Sequence, residues 1–163
     1  SKKHLKNILA NHPRLVETRP FLLGEEGIRL TPLQFAAMTN NEALVKALQP
    51  HQPDMNLADP AGDPPLHRAV KSGHASMVHL LFSLGADLRL RNAQGLPPLC
   101  VAIRECRGLA KHKILDVLLR LPGILHFSDS SGASPLMHAV RSGDEWSARM
   151  LLEIGATQKP DHA

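Results

Sequence analysis

Two cysteines and ten histidines are the side chains in this sequence that could bind a metal or act as nucleophiles and bases. Cys100, Cys106 and His112 are spaced six residues apart, whereas the paired ligands of structural zinc sites are usually about two to four residues apart. We therefore expect both thiols to pack in the interior, as free cysteines commonly do. An enzyme built on this part of the chain would need bound zinc, which elemental analysis would detect.

Motifs of known catalytic chemistry are missing from the sequence. It has no Gly-x-Ser-x-Gly elbow, no phosphate-cradling glycine loop and no His-Glu-x-x-His motif. Apart from His67, the histidines follow no spacing typical of metal ligands or of a catalytic triad. We predict a protein with no catalytic activity, no cofactor and no small-molecule substrate.

The excess positive charge of the chain lies at its start. The formal net charge of the 163 residues is +4, and residues 1–19 hold five Lys or Arg and one Glu. This cluster could bind nucleic acid or an anionic membrane, although charge runs of this size commonly only hydrate a helix face or a terminus. An adaptor for anionic lipid or nucleic acid is therefore an alternative function, which salt-dependent binding to phosphate-bearing surfaces would favour.

Composition favours a globular domain without nucleic-acid or membrane partners. Hydrophobic residues make up 43% of the chain, enough to bury the core of a single domain. Aromatic residues are only 3%, so few could stack on bases, and no apolar run reaches the roughly 18 residues of a membrane span. Two cysteines do not make a disulfide framework. We expect a soluble, cytoplasmic protein that binds neither nucleic acid nor membrane.

An internal repeat runs through most of the chain. Its copies share a short segment in which a proline precedes a leucine, and a small residue follows that proline four positions later. The prolines concerned are 33, 33 and 37 residues apart. The segments are Thr31-Pro32-Leu33-Gln34, Pro64-Pro65-Leu66-His67, Pro97-Pro98-Leu99-Cys100 and Ser134-Pro135-Leu136-Met137. Such a period indicates a protein built from stacked supersecondary units.

The period and the Pro-Leu-His pattern resemble those of the ankyrin repeat family. The resemblance covers residues 31–157 well and implies an all-α solenoid of stacked helix-turn-helix units with extended turn tips. We expect an irregular N-terminal capping helix and linker, followed by four ankyrin-like repeats. The expected bounds are 1–30 for the cap and linker, and about 31–58, 59–91, 92–128 and 129–163 for the repeats.

The second repeat shows how local chemistry predicts the two helices of one unit. Pro65 suits the first turn of a helix over residues 65–71, because its missing N–H would be unpaired there anyway. Gly73 favours the end of that helix. An apolar stripe at helical spacing then predicts a second helix from about Ala75 to Leu84. Neither helix is long enough to be stable alone, so each must pack on its neighbours.

Three departures from the family pattern are visible. Pro64 and Pro97 stand where the family usually has Thr, which removes a hydroxyl cap. The third repeat has four extra residues within 104–113, which must bulge between its helices or lengthen one of them. Insertions in such stacks often lie on the binding face. Other residues replace the family histidine, whose usual role is a local hydrogen bond; they are Gln34, Cys100 and Met137.

The resemblance implies protein binding on a concave face made by the turn tips and first helices. Basic residues are concentrated in the middle repeats, which suggests that an acidic segment of another protein docks there, with Leu96 and Phe127 as apolar anchors. The alternative is an ordinary solvated rim of charges. The partner-binding candidates are Arg68, Lys71, Arg89, Arg91, Gln94, Leu96, Arg104, Phe127, His138 and Arg141.

Trp146 falls at a position that the family usually fills with an exposed polar residue. It either covers the end of the apolar stack or contacts a region outside this chain; we favour the local cover, because terminal repeats are atypical. The sequence could also be the binding domain of a larger effector or enzyme, since a fold does not determine a function.

Overall fold

The computed structural model describes residues 21–23 and 28–157, together with position 11, and its side chains are described from residue 30 to residue 155. The predicted N-terminal helix and the basic cluster of residues 1–19 lie outside these residues, apart from Asn11. No helix in the described ranges is long and apolar enough to cross a membrane.

Within the described ranges the helices come in four successive pairs, which confirms the predicted all-α stack. A short antiparallel hairpin precedes them, with Phe21 opposite Leu30, in the segment that the sequence analysis assigned to a linker. Its strands are β1 (Phe21–Leu23) and β2 (Ile28–Leu30). The pairs are α1 (Pro32–Thr39) with α2 (Glu42–Leu48), α3 (Pro65–Lys71) with α4 (Ala75–Ser83), α5 (Pro98–Glu105) with α6 (Gly108–Leu118), and α7 (Pro135–Arg141) with α8 (Glu145–Thr157).

One continuous core joins the four pairs. First helices pack on first helices from α1 through α3 and α5 to α7, and α4 packs on α6. The buried side chains of α3 are those on its predicted apolar face, and Leu66, Ala69 and Val70 are at most 1% exposed. Because helices of seven to thirteen residues are marginal alone in water, this packing between units supplies their stability.

Each turn tip is organised by one polar side chain. The Oδ1 atoms of Asp59, Asn92 and Asp129 each accept hydrogen bonds from the backbone N–H groups two and four residues later, at 2.8–3.1 Å. Their role is to fold the tip on itself before each first helix begins.

Backbone hydrogen bonds join neighbouring tips. The N–H of Ala93 donates to the carbonyl of Gly62 at 3.1 Å, and the N–H of Ser130 donates to that of Gly95 at 3.0 Å. Gly62 has φ +82°, and a Cβ there would collide with Ala93. Glycine is required at this position both by the left-handed backbone and by the close approach of the next tip.

In the first two repeats the residue in the family histidine position makes a hydrogen bond to a backbone carbonyl distant in the sequence. Gln34 accepts a hydrogen bond from the Thr31 N–H through Oε1 and donates through Nε2 to the Leu57 carbonyl, both at 2.8 Å. His67 makes the second of these contacts, from Nε2 to the Leu96 carbonyl at 2.9 Å. Its buried Nδ1 has no hydrogen-bond partner within the described part of the chain.

The insertion in the third repeat lengthens a helix. Helix α6 has 11 residues against nine in α4, and the extra turn lies at its N-terminal end. This turn reaches back to the second repeat, where a Cβ on Gly73 would lie 3.0 Å from the Ala110 Cβ. The Cys106 thiol, just before the extra turn, donates to the Val70 carbonyl at 3.1 Å. Of the two expected outcomes, helix lengthening is therefore the correct one.

The outer side of the fourth repeat is not covered by any described residue of the chain. Met137 and Val140 on α7 are 44% and 65% exposed, whereas Cys100 and Ile103, at the same repeat positions, are 0% and 1% exposed. In the third repeat these positions lie beneath α7, the first helix of the next unit. Apolar residues at equivalent repeat positions are therefore buried in the third repeat and exposed in the fourth.

Candidate protein-binding surface

The two basic residues of α3 are already paired within the second repeat. Arg68 donates from Nε to Oδ2 of Asp59 at 2.6 Å and pairs with the same oxygen through Nη2. Lys71 Nζ lies 2.8 Å from Asp63 Oδ2 and 3.5 Å from Glu105 Oε2. Since both carboxylates of the tip are buried, these cations fasten the tip to the first helix and leave little net charge for a partner.

The candidates at the next tip are more exposed. Arg89 pairs with Asp87, from Nε to Oδ1 at 3.0 Å, and this arginine lowers the pKa of the Asp87 carboxyl. Arg91 donates from Nε to the carbonyl of Ser128 at 3.0 Å, a contact between neighbouring tips. Because a carbonyl does not cancel a full charge, Arg91 stays cationic at the surface, beside the exposed side chain of Gln94.

The two predicted apolar anchors lie in the packed interior or against it. Leu96 is 2% exposed, so its prediction as a docking anchor is wrong. Asn92 Oδ1 accepts the Leu96 N–H and turns this residue inward, into the core just before α5. Phe127 is half-buried and packs against the same core, so only part of its ring is available to a partner.

Two unpaired arginines face one groove between α5 and α7. The groove has a volume of about 380 Å³ and is lined by Arg104, Asp129, His138, Arg141 and Ser142. Arg104 and Arg141 are exposed, and neither guanidinium makes a hydrogen bond or ion pair with any described residue. They occupy the repeat position of Lys71, so three successive first helices carry a cation there. We call this the arginine groove.

His138 and Asp129 form the closed side of the arginine groove. His138 is buried, and its Nε2 lies 2.9 Å from Asp129 Oδ2. The hydrogen bond from Ser131, with the backbone N–H groups of the tip and the contact with His138, holds the pKa of the Asp129 carboxyl well below its usual range. This contact repeats the Asp59–Arg68 pair, because each joins a tip carboxylate to a side chain nine residues later. His138 therefore positions the tip, although the sequence suggested it as a partner contact.

A second groove lies beside the extra turn of α6. Its volume is about 320 Å³, and we call it the insertion groove. The rings of His112 and Trp146, which both line it, meet edge to face with centroids 4.2 Å apart. Ser142 lines both grooves, so they are neighbours on the surface. The lining residues are Ile103, Arg107, Gly108, Lys111, His112, Ser142, Asp144 and Trp146.

Lys111 and Asp144 fix the shape of the insertion groove. Lys111 donates from Nζ to the carbonyl of Ile103 at 2.8 Å and pairs with the Asp144 carboxylate. Asp144 also accepts hydrogen bonds from the N–H and hydroxyl of Ser147 in α8. The sequence analysis missed this pair, although the equivalent positions of Asp144 and Asn41, each just before a second helix, were a usable signal.

Comparison with known proteins identifies the repeats. Residues 5–92 match the model of ankyrin repeats, in three copies. The chain belongs to the ankyrin repeat family. The match begins at residue 5, so it includes most of residues 1–30, for which an irregular N-terminal cap and linker were predicted.

Its ankyrin relatives differ widely in size and origin. Over 136 residues, 82% of this chain, it is 32% identical to mouse Rabankyrin-5, of which the match covers 11%. It is 30% identical to a putative ankyrin repeat protein, YahD, of Escherichia coli over 78% of the chain and 64% of that protein. A probable 26S proteasome regulatory subunit of yeast, p28, is 28% identical over 76% of the chain and 54% of its own length.

The cysteines of this ankyrin stack are packing residues, as predicted. Cys100 and Cys106 are buried, and burial raises the pKa of the Cys100 thiol to about 12. The third member of the candidate zinc set, His112, is exposed on α6 and faces Trp146. In the described ranges no three His, Cys, Asp or Glu side chains come together as a metal site.

Proposed function

We propose that this ankyrin repeat protein is a non-catalytic protein–protein interaction module whose arginine groove binds an acidic segment of another protein. Ankyrin repeats generally serve as interaction modules, and the finer proposal depends on one observation. Arg104 and Arg141 are exposed in one groove, and no carboxylate among the described residues neutralises either of them.

The surrounding charges favour a carboxylate partner. Arg68, Lys71 and Arg89 are matched by acids of their own repeats, whereas the guanidinium groups of Arg104 and Arg141 are free to form two-pronged hydrogen bonds with carboxylates. The nearby Asp129 carboxylate already accepts hydrogen bonds from backbone N–H groups of its own tip and contacts His138. A negatively charged segment would therefore supply the missing countercharges of the groove.

The repeat architecture suits an extended segment rather than a compact ligand. The two arginines come from successive first helices, α5 and α7, which pack directly on each other. Arg91 and Gln94 lie at the tip that precedes α5. A segment lying across the repeats can meet several of these side chains in turn, and such contacts add up along the stack. A cytoplasmic location is part of the same proposal, because both cysteines are free thiols.

Reversal of both groove charges tests the proposal. Peptides selected for binding from a random library should be rich in Asp and Glu, and their affinity should fall by at least about tenfold in the Arg104→Glu, Arg141→Glu double variant. Arg149→Glu is the control, because Arg149 is likewise exposed, but on α8. Equal binding of the selected peptides by the double variant and by the wild-type chain would contradict the proposal. The helical circular dichroism signal should stay unchanged in both variants.

A further inference from the structure

We propose that the insertion groove is a second pocket for the same partner segment and takes an aromatic or large aliphatic side chain next to the acidic residues. This inference rests on the proposed function, since it assumes that the segment lies in the arginine groove. On this proposal, the four extra residues of the third repeat help to determine which partner binds.

Trp146 is not required by the core of the stack. The equivalent positions on the other second helices hold Ala43, Ser76 and Lys113, and all three are exposed. Trp146 is itself 38% exposed, and its ring contacts His112. An exposed tryptophan beside a groove offers a large apolar surface with few rotatable bonds, the property that makes this residue a frequent binding hot spot.

The extra turn of α6 contributes part of the lining of the pocket. Gly108 and Lys111, from the extra turn, both line the groove, and so does His112, which follows them on α6. Without the four extra residues α6 would begin near His112, as α4 and α8 begin at the equivalent Ala75 and Glu145. The pocket is thus a product of the insertion and of Trp146 together.

The pocket is held in shape before any partner arrives. Lys111 links the C-terminal end of α5 to Asp144 at the start of α8. Burial would raise the pKa of the Asp144 carboxyl, but hydrogen bonds from Lys111 and Ser147 outweigh burial and leave that pKa lowered. The carboxylate therefore stays ionised and paired at neutral pH. A fixed pocket saves the ordering entropy that a flexible one would lose on binding.

Charge complementarity favours an acidic neighbour of the apolar residue. Asp144 is the only carboxylate among the lining residues, and Lys111 already balances it. Arg107 adds a further positive charge; its Nη1 donates to the carbonyls of Arg104 and Cys106, and its other nitrogens have no partner among the described residues. Because Ser142 borders both grooves, acidic residues beside Arg104 or Arg141 would place their neighbours at this pocket.

A peptide selection on the whole chain tests the inference directly. The probe is a phage library of random twelve-residue peptides without tryptophan, panned against the wild-type protein. We expect enriched peptides to combine acidic residues with Phe, Tyr, Leu or Met. Since the chain has a single tryptophan, binding of the synthesised peptides should change the intrinsic fluorescence of Trp146, while a peptide with the apolar residue replaced by Ser should change it little.

Two sets of variants separate this inference from the proposed function. Trp146→Ser, which installs the residue of the second repeat, should weaken binding by about tenfold or more, and Trp146→Phe should recover most of the loss. Undiminished binding by Trp146→Ser, with a loss in the Arg104→Glu, Arg141→Glu variant, would overturn the inference and leave the proposed function standing. Undiminished binding by the arginine variant, or no enrichment of any peptide, would overturn both. Thermal melts of each variant confirm that the fold is intact.

Discussion

His67 lacks a hydrogen bond that its counterpart Gln34 makes, and the difference traces to Pro64. In the first repeat the Thr31 N–H donates to Gln34, and the Thr31 hydroxyl accepts the Gln34 N–H in return. Pro64 occupies the position of Thr31, and a proline has neither an N–H nor a hydroxyl to offer. The buried Nδ1 of His67 is left without a donor.

Replacing that proline should stabilise the protein. Pro64 has φ −59° and ψ 159°, close to the −71° and 160° of Thr31, so Thr fits the backbone. Pro64→Thr supplies a hydroxyl cap for α3 and a hydrogen-bond donor for His67. It also makes the unfolded chain more flexible, which lowers stability by a smaller amount. We expect the free energy of unfolding to rise by about 1 kcal/mol. Urea unfolding would show it as a higher midpoint.

The matched control for this change is Pro97→Thr in the third repeat. It restores only the hydroxyl cap, because Cys100 stands where the second repeat has His67. We expect a gain close to zero, about 0.5 kcal/mol or less. Equal gains at the two prolines would show that the unpaired Nδ1 of His67 costs nothing.

His67 should also make stability depend on pH. Burial lowers the pKa of this imidazole from 6.5, more than the hydrogen bond to Leu96 raises it. The folded state therefore binds a proton less readily than the unfolded state. The contribution of His67 is complete above the unfolded pKa and is lost as the pH falls below about 6.5.

His67→Gln should remove this part of the pH dependence, because glutamine does not titrate. Glutamine also fits the position, since Gln34 occupies the equivalent position of the first repeat. The measurement is the free energy of unfolding in urea at pH 7.5 and at pH 5.5, with the exposed His79→Gln as control. The difference between the two pH values should shrink in His67→Gln and persist in the control. An unchanged difference in His67→Gln would exclude this histidine as its source.

Local signals were sufficient to predict the helices. The helix expected over residues 65–71 is observed as Pro65–Lys71, and the one expected from Ala75 to about Leu84 ends at Ser83. Proline at the first turn, glycine with positive φ after the last turn and the apolar stripe all act within one repeat. These features can be read without knowing how the repeats pack.

The pairing of charges on the proposed binding surface could not be predicted from local signals. Whether an arginine is free depends on which acid folds back onto it, and Arg68 meets Asp59 only because the tip closes on α3. For this reason the sequence analysis named both Arg68 and Arg104 as partner-binding candidates. Leu96 was misplaced for a similar reason, since its inward turn depends on the hydrogen bond to Asn92.

The Lys111–Asp144 pair should contribute measurably to stability. Both side chains are largely shielded from solvent, at 12% and 18% exposure, and Lys111 also satisfies the carbonyl of Ile103 at the end of α5. Lys111→Met keeps the length of the side chain but leaves Asp144 without its cation. We expect a loss of about 2 kcal/mol in the free energy of unfolding.

Lys113→Met is the matched control for this change, because Lys113 is exposed on the same helix. Its effect should stay within about 0.5 kcal/mol. Denaturant titration of both variants, monitored by far-ultraviolet circular dichroism, gives the comparison. Similar small losses in the two variants would show that the extra turn of α6 is held by its packing on Gly73 and not by Lys111.

An inner repeat and the fourth repeat should respond differently to the same truncation. Val70 and Val140 occupy equivalent positions on α3 and α7, but Val70 is fully buried and Val140 is 65% exposed. Val70→Ala removes two methyl groups from a packed core and should cost about 2 kcal/mol. Val140→Ala removes them from a surface and should change the free energy of unfolding by no more than about 0.5 kcal/mol. Urea unfolding of the two variants measures the contrast, and a cost at Val140 as large as that at Val70 would mean that this face is covered in solution.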